Sequence, residues 1–454
     1  MNTSVAKTSK NWIKIGAKFL PFADAASDEL PLSRLLRLSL FQISVGMALA
    51  LLIGTLNRVM IVELHVPAAL VAVMVSLPLL FAPFRALIGF RSDHHRSHLG
   101  WRRVPYIWMG TLLQFGGFAI MPFALLVLGG MGQSSNAPAW VAHVGAGLAF
   151  LLVGAGLHTT QTVGLALATD LAPVEDRPKV VGLMYVMLLV GIMMSSLVFG
   201  YVLEDFTPGT LIRTVQGAAV LTLCLNVIAL WKQEGRSRDR QPGVYAEDPD
   251  FMESFKLFCN GNHAKRRLIA IGLGTMAFTM EDILLEPFGG EILGLTVAQT
   301  TYLTAVLAMG GLIGFGWASK VLSRGADPFK MASLGAMVGI PAFIAVIVSA
   351  PQASALLFAT GVLFIGFGAG LFGHGTLTAT MNSAPPGQAG LALGAWGAVQ
   401  ASTAGAAMAL GGILRDLSAQ FTDSATAYSI VYSLEVALLV MTVIIMKPLV
   451  KAKS

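Results

Sequence analysis

Long apolar runs, separated by short turns rich in basic residues, glycine and proline, make up most of the chain from residue 35 onward. A helix needs about 20 apolar residues to cross a hydrocarbon layer of about 30 Å, and the runs predict twelve of them. They fall at 35–61, 67–91, 102–129, 138–169, 177–203, 208–231, 266–292, 297–322, 329–350, 352–382, 388–414 and 424–448. The one long break, 233–264, carries Arg236, Arg238, Arg240, Pro242 and Gly243 and reads as a linker between two six-helix halves. The expected fold is an all-α polytopic membrane protein with two pseudo-symmetric six-helix bundles. Its parts are a cytoplasmic amphipathic segment (1–34), a first bundle (35–232), the cytoplasmic linker (233–264) and a second bundle (265–454). In the first part Lys10, Lys14 and Lys18 recur at four-residue spacing opposite Trp12, Ile15, Phe19 and Phe22, a pattern suited to lying on a membrane surface.

Composition confirms the solvent. With 55% hydrophobic and 12% charged residues and a mean hydropathy of +0.72, there is too little polar surface to coat a water-soluble globule. The net charge of +6 is unevenly placed. If both termini are cytoplasmic, Arg58, Arg213 and Arg415 are the only ones of the 30 Lys and Arg at outer positions, as the positive-inside bias requires. The charge is therefore read as a topology signal with some affinity for anionic lipid, and no nucleic-acid partner is expected. No removable secretory signal is expected at the N-terminus. Cys224 and Cys259 suggest neither a disulfide nor a thiolate metal site.

Against this background the stretch Thr279 to Glu291 stands out, because it puts Glu281, Asp282, Glu286 and Glu291 in an apolar run with Pro287 and Gly289-Gly290. An ionisable group at membrane depth is costly and marks a functional site by default. Asp282 and Glu286, one turn apart, should share a face. Pro287 should weaken the helix by leaving the Ile283 carbonyl without its donor.

The halves also repeat. Gly46 and Glu63 are spaced as Gly274 and Glu291 are, and Gly154-Ala-Gly-Leu157 recurs as Gly368-Ala-Gly-Leu371. The first register places Arg58 on Glu286, so Arg58 is expected to pair with Glu286 or Asp282 across the pseudo-axis, where sites lie in such duplicated folds. His158 and His374 fall at similar depths in the two fourth helices. Each is either an ordinary hydrogen-bonded contact or a ligand to something in the bilayer. His94, His95 and His98 share a short, strongly basic turn that disfavours a metal ion.

Several longer motifs carry a resemblance. Gly89 to Asp93 with Arg102-Arg103 is similar to the loop signature of the major facilitator superfamily. Phe19-Leu-Pro-Phe-Ala-Asp-Ala25, Leu56-Asn-Arg-Val-Met-Ile-Val-Glu63, Ala82-Pro-Phe-Arg-Ala-Leu-Ile-Gly89, Gly100-Trp-Arg-Arg-Val-Pro-Tyr106, His158-Thr-Thr-Gln-Thr162 and Leu284-Leu-Glu-Pro-Phe-Gly-Gly-Glu291 resemble the bacteriochlorophyll-delivery branch typified by PucC and LhaA proteins. The match runs through essentially the whole chain. It implies the major facilitator fold, a multi-pass place in a bacterial inner (intracytoplasmic) membrane, and delivery of bacteriochlorophyll a to light-harvesting antenna polypeptides. Implied partners are antenna α/β polypeptides or the reaction centre–antenna core, membrane lipids and bacteriochlorophyll synthase. One departure is notable: the second-half copy of the signature, Gly314-Phe-Gly-Trp-Ala318, has no acid where Asp93 stands, which argues for sideways exchange through lipid over ordinary alternating access.

On that reading His158, His374, Gln161 and Glu286 are candidate axial ligands to chlorin magnesium, which accepts imidazole or oxygen. Trp396, Phe364, Phe367 and Phe372 would wall a slot left by the small residues of the tenth and eleventh helices. No phosphate loop, nucleophile elbow or HExxH-type spacing marks an enzyme. Two other functions fit the same residues: a proton-coupled transporter of a small amphipathic compound using Asp282 and Glu286, and a pigment-free scaffold holding antenna subunits.

Overall fold

The computed structural model describes residues 30–81, 100–129, 138–173, 176–235, 264–382 and 389–450, with Arg85, Ile88 and Ser92 besides. The amphipathic stretch 1–29, nearly all of the linker, the three loop histidines, Gly89 and Asp93 lie outside the described residues. The described chain is helical throughout. Eleven helices are long and apolar enough to span a membrane: α1 (Leu32–Glu63), α3 (Val104–Leu128), α4 (Ala139–Leu171), α5 (Arg177–Val202), α6 (Pro208–Leu230), α7 (Ala264–Glu291), α8 (Val297–Leu322), α9 (Pro328–Ser349), α10 (Ala355–Asn382), α11 (Ala389–Ala419) and α12 (Ser424–Met446). Between α1 and α3, α2 (Ala68–Ser76) runs into a 3-10 turn, Leu77–Phe81, at the predicted place of the second helix. The protein is a multi-pass membrane protein.

Helix starts follow local chemistry. Thr207 before α6 and Thr296 before α8 each exchange two hydrogen bonds with the third helical residue, Thr210 and Gln299, satisfying donors that a helix start leaves open. Asp327, followed by Pro328, does the same for α9 through the N–H groups of Phe329 and Lys330. α11 runs to Ala419, more than a turn past the expected 414.

Burial sorts the helices. In its apolar window α1 is 83% buried and α7 67%, against 33–50% for the others, so these two are wrapped by protein while the rest turn one side to lipid. α5 lies along α8 and α2 along α11, joining the first six helices to the last six. α8 and α10 approach backbone to backbone: a Cβ on Gly366 would stand 2.0 Å from the Leu307 carbonyl oxygen, and one on Gly370 2.5 Å from that of Gly311. α1 contains two wide π turns, Ala50–Thr55 and Val59–Glu63, which bond each residue to the fifth along.

The end of the bundle bearing Arg102 and Arg103 is held by ions. Both guanidinium groups bond Asp170 of α4, at 2.5 and 3.0 Å, and Arg103 also reaches the Ser92 hydroxyl at 2.6 Å. Glu234, just beyond α6, accepts from the backbone N–H groups of Arg102, Arg103 and Val104 and so caps α3. Arg34 at the start of α1 bonds Gln233 through both carbonyl and side chain.

Candidate functional site

α7 unwinds where its acids gather. α-Helical bonding stops at Ala277, returns as one 3-10 turn, Glu281–Ile283, and resumes at Leu285–Glu291. The break therefore precedes Pro287, which sits in the first turn of the second piece, where a missing N–H costs little. A continuous 266–292 helix is not formed. The Ile283 carbonyl, the one Pro287 cannot serve, accepts from Asn57 Nδ2 of α1 at 2.7 Å. A neighbouring helix thus replaces the lost donor.

Around this break the acids take different partners. Glu286 is buried, accepts the Thr304 hydroxyl of α8, and nests against Gly54 of α1, where a Cβ would come within 2.5 Å of its Oε1. Arg58 makes its ion pair with Glu63, five residues along its own helix, and donates to the Leu295 carbonyl at 3.2 Å. The expected pairing of Arg58 with Glu286 or Asp282 is therefore not made, because the π turn after Arg58 brings Glu63 into register with it. Glu291 lies at the far end of α7, outside the cluster. Its Oε2 takes the Arg415 guanidinium at 2.5 Å and the Ser424 hydroxyl at 2.9 Å. Arg415 also bonds Asp416, whose other oxygen accepts the Ala69 N–H at 2.7 Å and so caps α2 across the two halves.

Glu281 and Asp282 meet a group that the sequence reading passed over. Glu435 of α12 is wholly buried and close enough to interact with both. Glu435 takes its contacts from Glu281, carboxyl to carboxyl and through the Glu281 backbone N–H, and the Tyr432 hydroxyl beside them has no hydrogen-bond partner among the described residues. Among the described residues no Lys, Arg or His pairs with Glu281, Asp282 or Glu435. The signal for Glu435 was available: it is the only ionisable group in an apolar run from Ser424 to Met446 other than its tyrosines.

Beside the break lies a cavity of about 270 Å³. Glu281, Asp282 and Phe278 of α7 form one side, Thr304 and Phe315 of α8 and Gly366, Gly370 and Gly373 of α10 another; Tyr185 of α5 and Trp396 and Gln400 of α11 complete it. A smaller cavity of about 40 Å³, bordered by Gly54, Glu286, Asp282 and Thr304, adjoins it. Most glycines of α10 serve helix contact, but a Cβ on Gly373 would meet nothing within 4 Å and would point into open space.

Of the expected pigment contacts, Trp396 borders the larger cavity, with its indole N–H given to Thr376 at 3.2 Å. Glu286 borders only the smaller one. His158, His374 and Gln161 do not line the larger cavity. His158 is buried in α4, and Gln161 accepts from Arg85 at 3.0 Å, which also bonds Thr162 at 2.8 Å. The His374 ring lies against Phe315 with centroids 4.2 Å apart. Similar depth did not mean similar rotation about the helix axes. The aromatic walls are Tyr185, Phe278, Phe315 and Trp396; Phe372 packs against Phe278, while Phe364 and Phe367 pack on each other. Among the described residues no three His, Cys, Asp or Glu side chains gather as a free metal ion would need.

Eleven membrane-length helices and the shorter α2 among the described residues, with α1 and α7 the most buried and a cavity between the halves, define a major facilitator fold. The D-xylose-proton symporter shares it with a TM-score of 0.68 at 14% identity, over 92% of this chain and 97% of that one. The chain belongs to the PucC family: the family model described as PUCC protein matches residues 55–454. The Protein PucC of Rhodovulum sulfidophilum is 64% identical over 404 residues, 88% of this chain and 89% of its own. That of Cereibacter sphaeroides is 55% identical over 453 residues, 99% of this chain and 98% of its own.

Proposed function

We propose that the protein holds bacteriochlorophyll in the larger cavity and delivers it to light-harvesting antenna polypeptides as photosynthetic complexes are assembled. Family membership supports the setting, and the observation that carries the reading is the cavity's shape and lining. Gly366, Gly370 and Gly373 of α10 share its lining with Phe278, Phe315 and Trp396, and Glu281 and Asp282 are the only carboxylates among the described residues that border it. Such a slot suits a flat, largely apolar ring with one polar centre. Nothing in this mechanism asks the chain to make or break a covalent bond, so it acts as a carrier. The bias of basic residues toward one set of loops supports cytoplasmic termini and a bacterial inner membrane in this reading, with antenna α/β polypeptides or the reaction centre–antenna core as recipients.

The test is purification in mild detergent from a pigment-producing host. The wild-type chain is expected to carry long-wavelength chlorin absorption. Gly373→Leu, whose Cβ would meet nothing within 4 Å and whose side chain would enter the slot, is expected to elute normally and to lose at least about nine-tenths of the pigment, a tenfold loss of affinity or more. Colour unchanged in Gly373→Leu would remove the cavity from the account.

The uncompensated Glu281, Asp282 and Glu435 favour one other reading, a proton-coupled transporter of a small amphipathic compound. A colourless protein that moves such a compound into liposomes only under a proton gradient would support it. Antenna subunits co-purifying with a colourless chain would instead support a scaffold.

A further inference from the structure

Resting on the reading of the cavity as a pigment slot, we propose that the Asp282 carboxylate is the axial ligand to the tetrapyrrole magnesium. The argument runs by elimination among groups that reach the slot. Neither histidine lines the slot, the His374 ring being set against Phe315. Trp396 has no lone pair to offer and gives its N–H to Thr376, while the Thr304 hydroxyl, which donates to Glu286, is a neutral oxygen and a weaker donor to a hard cation than a carboxylate. Glu281 is 1% exposed and crowded by Glu435. Asp282 is different: it lies in the unwound turn, borders both cavities, and its carboxylate hydrogen-bonds no described residue. The Gln400 amide and the Tyr185 hydroxyl are the remaining oxygen donors, both neutral.

Chemistry favours the anion. Magnesium is a hard cation that takes oxygen readily, and its four ring nitrogens leave one ligand to supply, so no three-residue cluster is needed. Buried carboxyls without a cation are costly; a metal centre set over Asp282 relieves that cost when the slot is loaded. A single axial bond, unsupported by a second protein ligand, also lets the pigment leave for a polypeptide that offers a better donor.

The test titrates the detergent-purified full chain, from a host without pigment, with bacteriochlorophyll a and with its magnesium-free form, reading affinity by quenching and coordination by the visible band that reports axial ligation. The wild type is expected to prefer the magnesium form by about tenfold or more. Asp282→Ala is expected to lose that preference while binding the magnesium-free ring as the wild type does, which also shows that the variant is folded. Asp282→His is expected to restore the preference with a shifted band. Preference retained in Asp282→Ala, or lost in Gln400→Leu alone, overturns the assignment. Equal wild-type binding of both rings overturns it too and leaves the carrier reading standing; binding of neither removes the carrier reading itself.

Discussion

The two ends of one helix treat their acids in opposite ways. At the far end of α7, Glu291 is fully compensated: Arg415 and Ser424 reach it, and Arg415 in turn holds Asp416, which caps α2. Some ten residues earlier, at the break, Glu281 and Asp282 stand with Glu435 and no cation among the described residues. A carboxylate neutralised by the protein serves architecture, here the joining of the two halves. One left uncompensated in a low-dielectric setting is stored cost, and such cost persists where a ligand relieves it.

Substitutions can break that contrast. Arg415→Ala should have the largest effect, because it strands Glu291 and Asp416 and uncaps nothing directly yet loosens the α2–α11 tie. A loss of about 2–3 kcal/mol is expected, read by thermal or denaturant melting in micelles. Asn57→Ala leaves the Ile283 carbonyl without a donor and should cost about 1–2 kcal/mol by the same measurement. Glu435→Gln sharpens the comparison by its sign: removing a like charge from the break should leave the melting midpoint unchanged or raise it, whereas Glu291→Gln should lower it. A drop in Glu435→Gln equal to that in Glu291→Gln would mean the break is structurally satisfied after all. Smallest of all, His158→Ala should leave pigment retention unaltered, since its ring does not line the slot.

Much of the fold could be read from hydropathy, because a membrane demands whole apolar spans and each left an unmistakable run. The apolar run bounded α8 at its observed ends, and the Thr296–Gln299 capping box found in the structure accounts for its start. The site was legible in part. That α7 fails near its acids followed from Pro287, but the failure falls earlier, since a proline is accommodated in a first turn and the residues before it bear the disruption. Arg58 was assigned the wrong partner because pseudo-symmetry speaks of position and not of local winding; a π turn made Glu63 the nearer acid. The histidines were matched by depth, which follows from counting residues, while azimuth depends on how helices pack, and neither borders the larger cavity. Asp282, by contrast, was visible as an acid in oil and is found at the slot.

The seam of glycines between α8 and α10 has a mechanical consequence. Helices closer than any side chain would permit cannot slide or tilt past each other without a backbone collision, so they form a single stiff plate behind the slot. Whatever yielding accompanies the arrival or departure of a guest must then be taken up opposite, by the frayed turn of α7, and a pocket with one immovable wall gauges its guests by thickness more than by outline.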